Sequence, residues 1–204
     1  LNLRLQAIRI LAHRNRKTSM TTLPNVVREC VADTDPRVRF EAVQAIRQAE
    51  SQEFLGALID RLADENDRLV FYAGWGTLRI LAPAADRKQL LQHQSPRIRL
   101  AALLSLQEDY QLTLDESLAI AENETDTEVQ TWAMTFAMNP RPPSKMPNTT
   151  SRVELEQSLP INDLIERAEK SINRPVMRQL YLKLISRASF RGKDWKTISS
   201  FYES

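Results

Sequence analysis

Asp33-Thr-Asp-Pro-Arg-Val-Arg-Phe-Glu-Ala-Val-Gln-Ala-Ile46 states a pattern that the rest of the chain repeats. An Asp-Pro turn opens it, an arginine-flanked Val38 follows, and Ala42 and Ile46 continue at four-residue spacing. Residues four apart share one face of an α-helix, so Val38, Ala42 and Ile46 form a single apolar stripe. Asp35 suits the N-cap, where a carboxylate accepts from backbone N–H groups that have no helical partner. Pro36 suits the first helical position, where a missing N–H costs nothing.

Working outward, the pattern returns three times. Asp67-Arg-Leu-Val-Phe-Tyr-Ala-Gly-Trp-Gly-Thr-Leu78 places Leu69 and Ala73 in the slots of Val38 and Ala42. Ser95-Pro-Arg-Ile-Arg-Leu-Ala-Ala-Leu-Leu-Ser-Leu106 supplies Ile98 and Ala102, and Asp126-Thr-Glu-Val-Gln-Thr-Trp-Ala-Met-Thr-Phe136 supplies Val129 and Ala133. The alanines at 42, 73, 102 and 133 are 31, 29 and 31 residues apart. Upstream, Leu3–Leu11 fits the same template with Ala7. A second helical stretch precedes each motif helix: 22–31 before 36–49, 53–63 before 67–82, 85–92 before 96–108, and 114–122 before 127–138. Its apolar residues fall at three- and four-residue spacing, as in Phe54, Leu55, Leu58, Ile59 and Leu62. A period of about 30–45 residues with two helices per unit predicts a solenoid. The expected fold is all-α, a right-handed α-α superhelix of about five to six helix pairs.

The recurring turn followed by Asp/Pro-Arg-Val-Arg resembles HEAT repeats of the short, bilin-lyase-like kind. The resemblance covers roughly residues 1–138. It implies that each motif helix is the second of its pair and that successive second helices line a concave face. Such repeats serve enzymes, scaffolds and adaptors alike, so the resemblance speaks to fold rather than function. The phrasing of 67–79 together with 95–106 is also similar to the HEAT segment of large bacterial proteins that join a sugar-dehydrogenase-like propeller to a c-type cytochrome domain. That resemblance would imply an exported, multidomain electron-transfer parent whose haem lies outside residues 1–204. Leu1 opens inside a repeat without an initiator Met or a signal peptide, and the expectation is a segment of a longer protein.

The pattern stops at Asn139-Pro-Arg-Pro-Pro-Ser-Lys-Met-Pro-Asn-Thr-Thr150, whose prolines cannot continue a helix. Beyond it, 161–172 and 175–186 read as another helix pair, with 195–202 as a final short helix. The expected organisation is repeats over 1–138, a Pro-rich loop over 139–150, and a helical segment over 151–204 that forms a degenerate terminal repeat on the same solenoid.

A chain of 204 residues, 42% hydrophobic and 26% charged, has the composition of a globular protein. No apolar run reaches the ~18 residues of a membrane span. The single Cys30 has no partner for an internal disulfide, and its apolar surroundings read as a small buried hydrophobe rather than a reactive thiol. Net charge is +2, yet it is unevenly spread. Residues 1–28 hold Arg4, Arg9, Arg14, Arg16, Lys17 and Arg28 with no acid, whereas 100–140 holds acids and no Lys or Arg.

Signals for catalysis fail one by one. His13 and His93 stand far apart and form neither a catalytic triad nor a zinc cluster with their neighbours. Neither histidine precedes a glutamate, as the iron sites of HEAT-type hydroxylases would require. Gly74 and Gly76 lie inside a helix on either side of Trp75 and cradle no phosphate. There is no Cys-x-x-Cys-His, so the segment attaches no haem of its own. No catalytic, cofactor-binding or metal-ligating residue is therefore assigned.

Two sets of side chains remain. Arg37, Arg68 and Arg97 are read as one repeat slot and Arg39 and Arg99 as another, with arginines there bonding an acid or turn carbonyl to hold the repeats in register. The rival is a basic stripe for phosphate or acidic partners, broken where Glu128 replaces the arginine. Tyr72, Trp75 and Trp132 fall where other repeats carry Glu41, Ala101, Gln44 or Leu104, and sites polar in one repeat and aromatic in the next argue against the core. They pack on the C-terminal segment or another domain, anchor a partner in a groove, or pack within their own repeat.

The first functional expectation is a non-catalytic scaffold that packs on neighbouring domains or another protein. A DNA-binding protein or HEAT-like alkylpurine DNA glycosylase is the alternative. The acidic run at 108–128 and the low net charge argue against nucleic acid. A bilin-lyase-like protein is the third reading. The compartment is not legible, except that the cytochrome-linked resemblance would place the parent outside the cytoplasm.

Overall fold

The capping chemistry written at Asp35 builds the helices that the computed structural model shows. The structure describes residues 2–18, 23–138 and 160–189. Among them run α1 (Asn2–Thr18), α2 (Val26–Val31), α3 (Pro36–Ala49), α4 (Leu55–Ala63), α5 (Arg68–Leu81), α6 (Ala84–Leu90), α7 (Pro96–Glu108), α8 (Leu114–Asn123), α9 (Thr127–Met138), α10 (Ile161–Lys170) and α11 (Pro175–Ser189), with a 3-10 turn at Gln52–Phe54. No strand occurs among the described residues. The all-α solenoid of helix pairs is the observed fold. The Pro-rich stretch 139–150 and the helix expected at 195–202 lie outside the described residues.

The chain divides into two compact units, Leu1–Gln111 and Leu112–Ser204. In the first, α2/α3, α4/α5 and α6/α7 form hairpins, while α1, α3, α5 and α7 lie side by side as one layer of second helices. In the second unit, α8 pairs with α9 and α10 with α11, and α11 touches α9.

Three of the motif helices start from the same aspartate cap. Asp35 accepts from the Arg37 N–H, Asp67 from the N–H groups of Leu69 and Val70, and Asp126 from those of Glu128 and Val129. Ser95 opens α7 ahead of Pro96, as Asp35 opens α3 ahead of Pro36. Counting from the cap, positions three, seven and eleven are buried in every case: Val38, Ala42 and Ile46; Val70, Gly74 and Leu78; Ile98, Ala102 and Leu106; Val129, Ala133 and Ala137.

This register corrects the sequence reading in two places. Leu69 is 69% exposed, and Val70 and Gly74, not Leu69 and Ala73, take the slots of Val38 and Ala42. Gly74 is there because α4 comes too close for anything larger: a Cβ on it would meet Leu62 Cδ2 at 2.6 Å. Upstream, Ala7 and Leu3 are exposed, and α1 buries Ile8 and Ala12 instead.

The second helices α3 and α7 also stop alike. Glu50 and Tyr110 adopt left-handed backbone (φ 50° and 56°), and the next N–H returns to the carbonyl of Ile46 or Leu106. At the end of α7, buried Arg87 donates to the Ser105 carbonyl at 2.7 Å and pairs with Asp109 at 2.8 Å, which also takes Arg79 at 2.6 Å. In the second unit Arg167 bridges Asp115 (2.6 Å) and Glu122 (3.1 Å), and the Tyr181 hydroxyl donates to Glu122.

Candidate interaction face

The turns between paired helices share a device. Two residues before each cap, a side chain accepts the cap's own backbone N–H: Asp33 from Asp35 (2.9 Å), Glu65 from Asp67 (2.8 Å), His93 from Ser95 (3.0 Å) and Glu124 from Asp126 (2.8 Å). Four residues after the cap, a long side chain reaches back to the turn carbonyls. Arg39 donates to Asp33 and Thr34, Arg99 to His93 and Gln94, and Gln130 to Glu124 and Ala121. A turn closed this way leaves few backbone groups unpaired.

In α5 that fourth position is Phe71, which donates nothing. Arg97, arriving from α7, fills the gap. It donates to the Glu65 carbonyl at 2.9 Å and lays its guanidinium 3.9 Å from the centre of the Phe71 ring. Arg39 meanwhile grips the Glu65 carboxylate through Nε and Nη2, both at 2.8 Å, and Arg61 adds a third bond at 3.0 Å. Glu65 is 0% exposed and Arg39 7%. Burial works to raise the Glu65 pKa, but the bonds from Arg39, Arg61 and the Asp67 N–H outweigh it and hold it down to about 2. Three successive repeats thus meet at one residue, Arg39 and Arg61 at the Glu65 carboxylate and Arg97 at its backbone carbonyl.

Because position seven of each second helix faces its first-helix partner, as Gly74 faces Leu62, positions two, five and nine face away from that layer. In α3 they are Arg37, Phe40 and Gln44; in α5, Leu69, Tyr72 and Gly76; in α7, Arg97, Leu100 and Leu104. The face changes character along the stack. At α3 it is mixed and partly exposed, and at α7 Leu100 and Leu104 are buried. At α5 it is apolar and open, with Leu69, Tyr72 at 39% and Ile80 at 42% exposed. Gly76 leaves a notch between Tyr72 and Ile80, where a Cβ would have only Arg47 Nη1 within reach, at 3.9 Å.

The aromatic residues singled out in the sequence separate. Tyr72 and Trp75 stand edge to face on α5, centroids 6.5 Å apart, and Phe71 meets Tyr72 at the same distance. Arg68 donates to the Tyr72 hydroxyl at 3.3 Å and lies 5.4 Å from its ring centre. Trp75 sits eight residues past its cap, the slot that Val43 and Leu103 fill in the core. It is half-buried, and its indole N–H is buried without a hydrogen-bond partner. Trp132 belongs to the second unit, half-buried on α9 and 5.5 Å from Phe136.

The arginines separate as well. Arg37 and Arg97 share a slot, but Arg68 occupies the place of Pro36 and Pro96, one residue earlier than the sequence reading put it. Arg37 bonds its own cap, Asp35, at 3.2 Å. Arg39 and Arg99 do share a slot, and both hold turn carbonyls. Sequence reasoning missed Glu65; the signal was a polar residue two before every cap. Cys30 is half-buried on α2, its thiol pushed up by burial and then by the Asp33 charge, which keeps it protonated. Among the described residues, no three His, Cys, Asp or Glu side chains gather as metal ligands would, and no helix is long and apolar enough to cross a membrane.

Residues 2–74, from α1 into α5, match the family model described as HEAT repeats. Compared with curated proteins and with solved structures, the chain matches none. Over residues 2–74 the helix pairs are thus similar to HEAT repeats, a fold suited to a repeat scaffold that offers surfaces to other proteins.

Proposed function

We propose that the chain is a non-catalytic interaction scaffold, a module of a larger protein, and that the open face of α5 carries its partner contact. One observation carries this reading. Leu69, Tyr72 and Ile80 are large, apolar and exposed on the side of α5 turned away from α4, while the same helix buries Val70, Phe71 and Leu78. A helix with its core already filled gains nothing in stability from a second apolar face; exposed apolar patches of this kind mark binding surfaces. Tyr72 is the anchor, since tyrosine offers a large contact area with a polar tip and Trp75 and Arg68 fix its ring. No feature of the described residues favours the haem-linked, glycosylase or bilin-lyase readings over this one.

Selection of a displayed random-peptide library on the full chain tests it, with Leu69→Asp as the counter-target. Leu69 is exposed, so that variant keeps the wild-type stability within a few tenths of a kcal/mol. Peptides retained by the wild type and lost on Leu69→Asp are the expected result. A library that yields no ligand, or only ligands indifferent to Leu69→Asp, overturns the reading.

A further inference from the structure

Charge and shape on the α5 face narrow the partner. Helix α5 carries no Asp or Glu between Arg68 and Leu81. On the neighbouring α3 the only acid is Glu41, and Arg9 of α1 engages it. Arg37 is committed to Asp35, and Arg97 to the Glu65 carbonyl and the Phe71 ring. Arg47 has no ion pair among the described residues, and its guanidinium reaches over Gly76. Arg68 has the neutral Tyr72 hydroxyl as its hydrogen-bond acceptor. Cationic groups without counter-charges therefore flank an apolar stripe.

Gly76 is the second, independent observation. Glycine inside a helix costs stability relative to alanine, and here no packing demands it. A Cβ at Gly74 would collide with Leu62, whereas one at Gly76 meets a single arginine tip at ordinary contact distance. What Gly76 provides is a notch on the exposed stripe, between Tyr72 and Ile80. From Leu69 to Ile80 the stripe spans about 16 Å, the length of three turns of a docked helix.

We infer, on the basis of the interaction reading above, that this face receives an acidic amphipathic segment of a partner protein. Its apolar side chains lie along Leu69, Tyr72 and Ile80 with one seated in the Gly76 notch, and its carboxylates meet Arg47 and Arg68. Guanidinium groups bind carboxylates through paired hydrogen bonds, and apolar anchors at helical spacing are how such segments fill a surface. Nucleic acid fits less well. Two uncommitted arginines neutralise few phosphates, and Leu69 and Ile80 offer a backbone nothing.

The displayed library, selected on the full chain, reads this directly. Expected ligands are rich in Asp and Glu with apolar residues at three- and four-residue spacing. Synthesised and titrated by fluorescence anisotropy, they weaken about tenfold or more on the double variant Arg47→Glu/Arg68→Glu. Peptides with Lys in place of those acids regain affinity for the double variant. Gly76→Leu loses binding while its unfolding midpoint does not fall below wild type. Ligands that need Leu69 but are neutral or basic, and ignore the charge reversal, overturn the acidic partner and leave the interaction reading standing. Ligands indifferent to Leu69→Asp overturn both. Binding of a DNA duplex through Arg47 and Arg68 overturns the inference, as does self-association that Leu69→Asp abolishes.

Discussion

Replacing Glu65 by Gln removes one charge and changes almost no volume, so it isolates what the carboxylate does. In the wild type its two oxygens accept from Arg39 twice at 2.8 Å, from Arg61 at 3.0 Å and from the Asp67 N–H at 2.8 Å. An amide keeps one acceptor and turns an NH2 group toward arginine donors. Arg61 is 26% exposed in its side chain and can turn to water, but Arg39 cannot. Breaking a buried pair by removing one partner costs about 3–5 kcal/mol, because the charge left behind is uncompensated. With Arg61 free to relax, the lower end applies, about 3 kcal/mol. Urea unfolding of the full chain at neutral pH measures it. Adding Arg39→Met should recover part of the loss, since the stranded charge goes with it.

The same carboxylate sets an acid limit. Its pKa falls from 4.5 in the unfolded chain to about 2 in the fold. A lowered folded-state pKa gives stability that is complete above 4.5 and is lost as pH falls from there toward 2. At about 1.4 kcal/mol per unit of pKa, trimmed for the partial exposure of Arg61, the contribution is about 2–3 kcal/mol. Wild type should therefore lose stability between pH 5 and pH 3 more steeply than Glu65→Gln. A Glu65→Gln loss below about 1 kcal/mol, the range of surface pairs, would refute the buried node. So would identical slopes for the two proteins.

Four further outcomes test the packing and a fifth tests a buried phenol. Gly56→Ala, at an exposed site with nothing within 4 Å of the new Cβ, should raise stability by about 0.5–1 kcal/mol. Gly74→Ala should lower it despite the same gain in helix propensity, since Leu62 must move; an equal rise in both variants would contradict the α4–α5 approach. Ala102→Phe overfills a fully buried slot and should cost about 1–3 kcal/mol, with an unchanged melting temperature counting against the register. Trp132→Ala should cost about 1–2 kcal/mol, the worth of a half-buried ring stacked on Phe136; a loss of about 3–5 kcal/mol would place it in the core. In the second unit, burial and then Glu122 push the Tyr181 phenol above the ordinary tyrosine range. A raised folded-state pKa favours the fold below about 10 and loses that favour as the phenolate forms. Ultraviolet titration should then find one tyrosine that ionises only on unfolding, absent in Tyr181→Phe.

What the sequence revealed depended on how directly the physics was written in residue type. Helices α7 and α9 appear with the ends that Pro96 and Asp126 announced, because a cap fixes the first turn by itself. The slip at α5 arose from matching Arg68 to Arg37 and Arg97 by charge. The cap sets register, not the arginine: each of these helices begins one residue after its cap, so with Asp67 as cap Arg68 takes the first position, where Pro36 and Pro96 stand. A small residue at the seventh position would have exposed the slip, since Gly74 then joins Ala42, Ala102 and Ala133. That slip also moved the aromatic residues: the ring judged surface-facing at position 75 sits in a core slot, while Leu69, judged core, is the most open part of the face. Glu65 escaped notice because its partners lie 26 residues upstream and 32 downstream, a convergence no local pattern displays.

Departures from the repeat template therefore need sorting by cause. Phe71 breaks the rule of a donor four residues past the cap, but Arg97 covers both the ring and the orphaned carbonyl, so the departure is absorbed by packing. Gly74 breaks the rule of alanine at the seventh position, and Leu62 explains it. Leu69 and Gly76 break the template with no neighbour that requires them. One exposes an aliphatic side chain, and the other weakens a helix for an empty notch. Folding gives neither a reason to persist. Both lie on the same stripe of α5, flanked by Arg47 and Arg68, which lack counter-charges among the described residues, and a docked partner is what would turn both departures into gains.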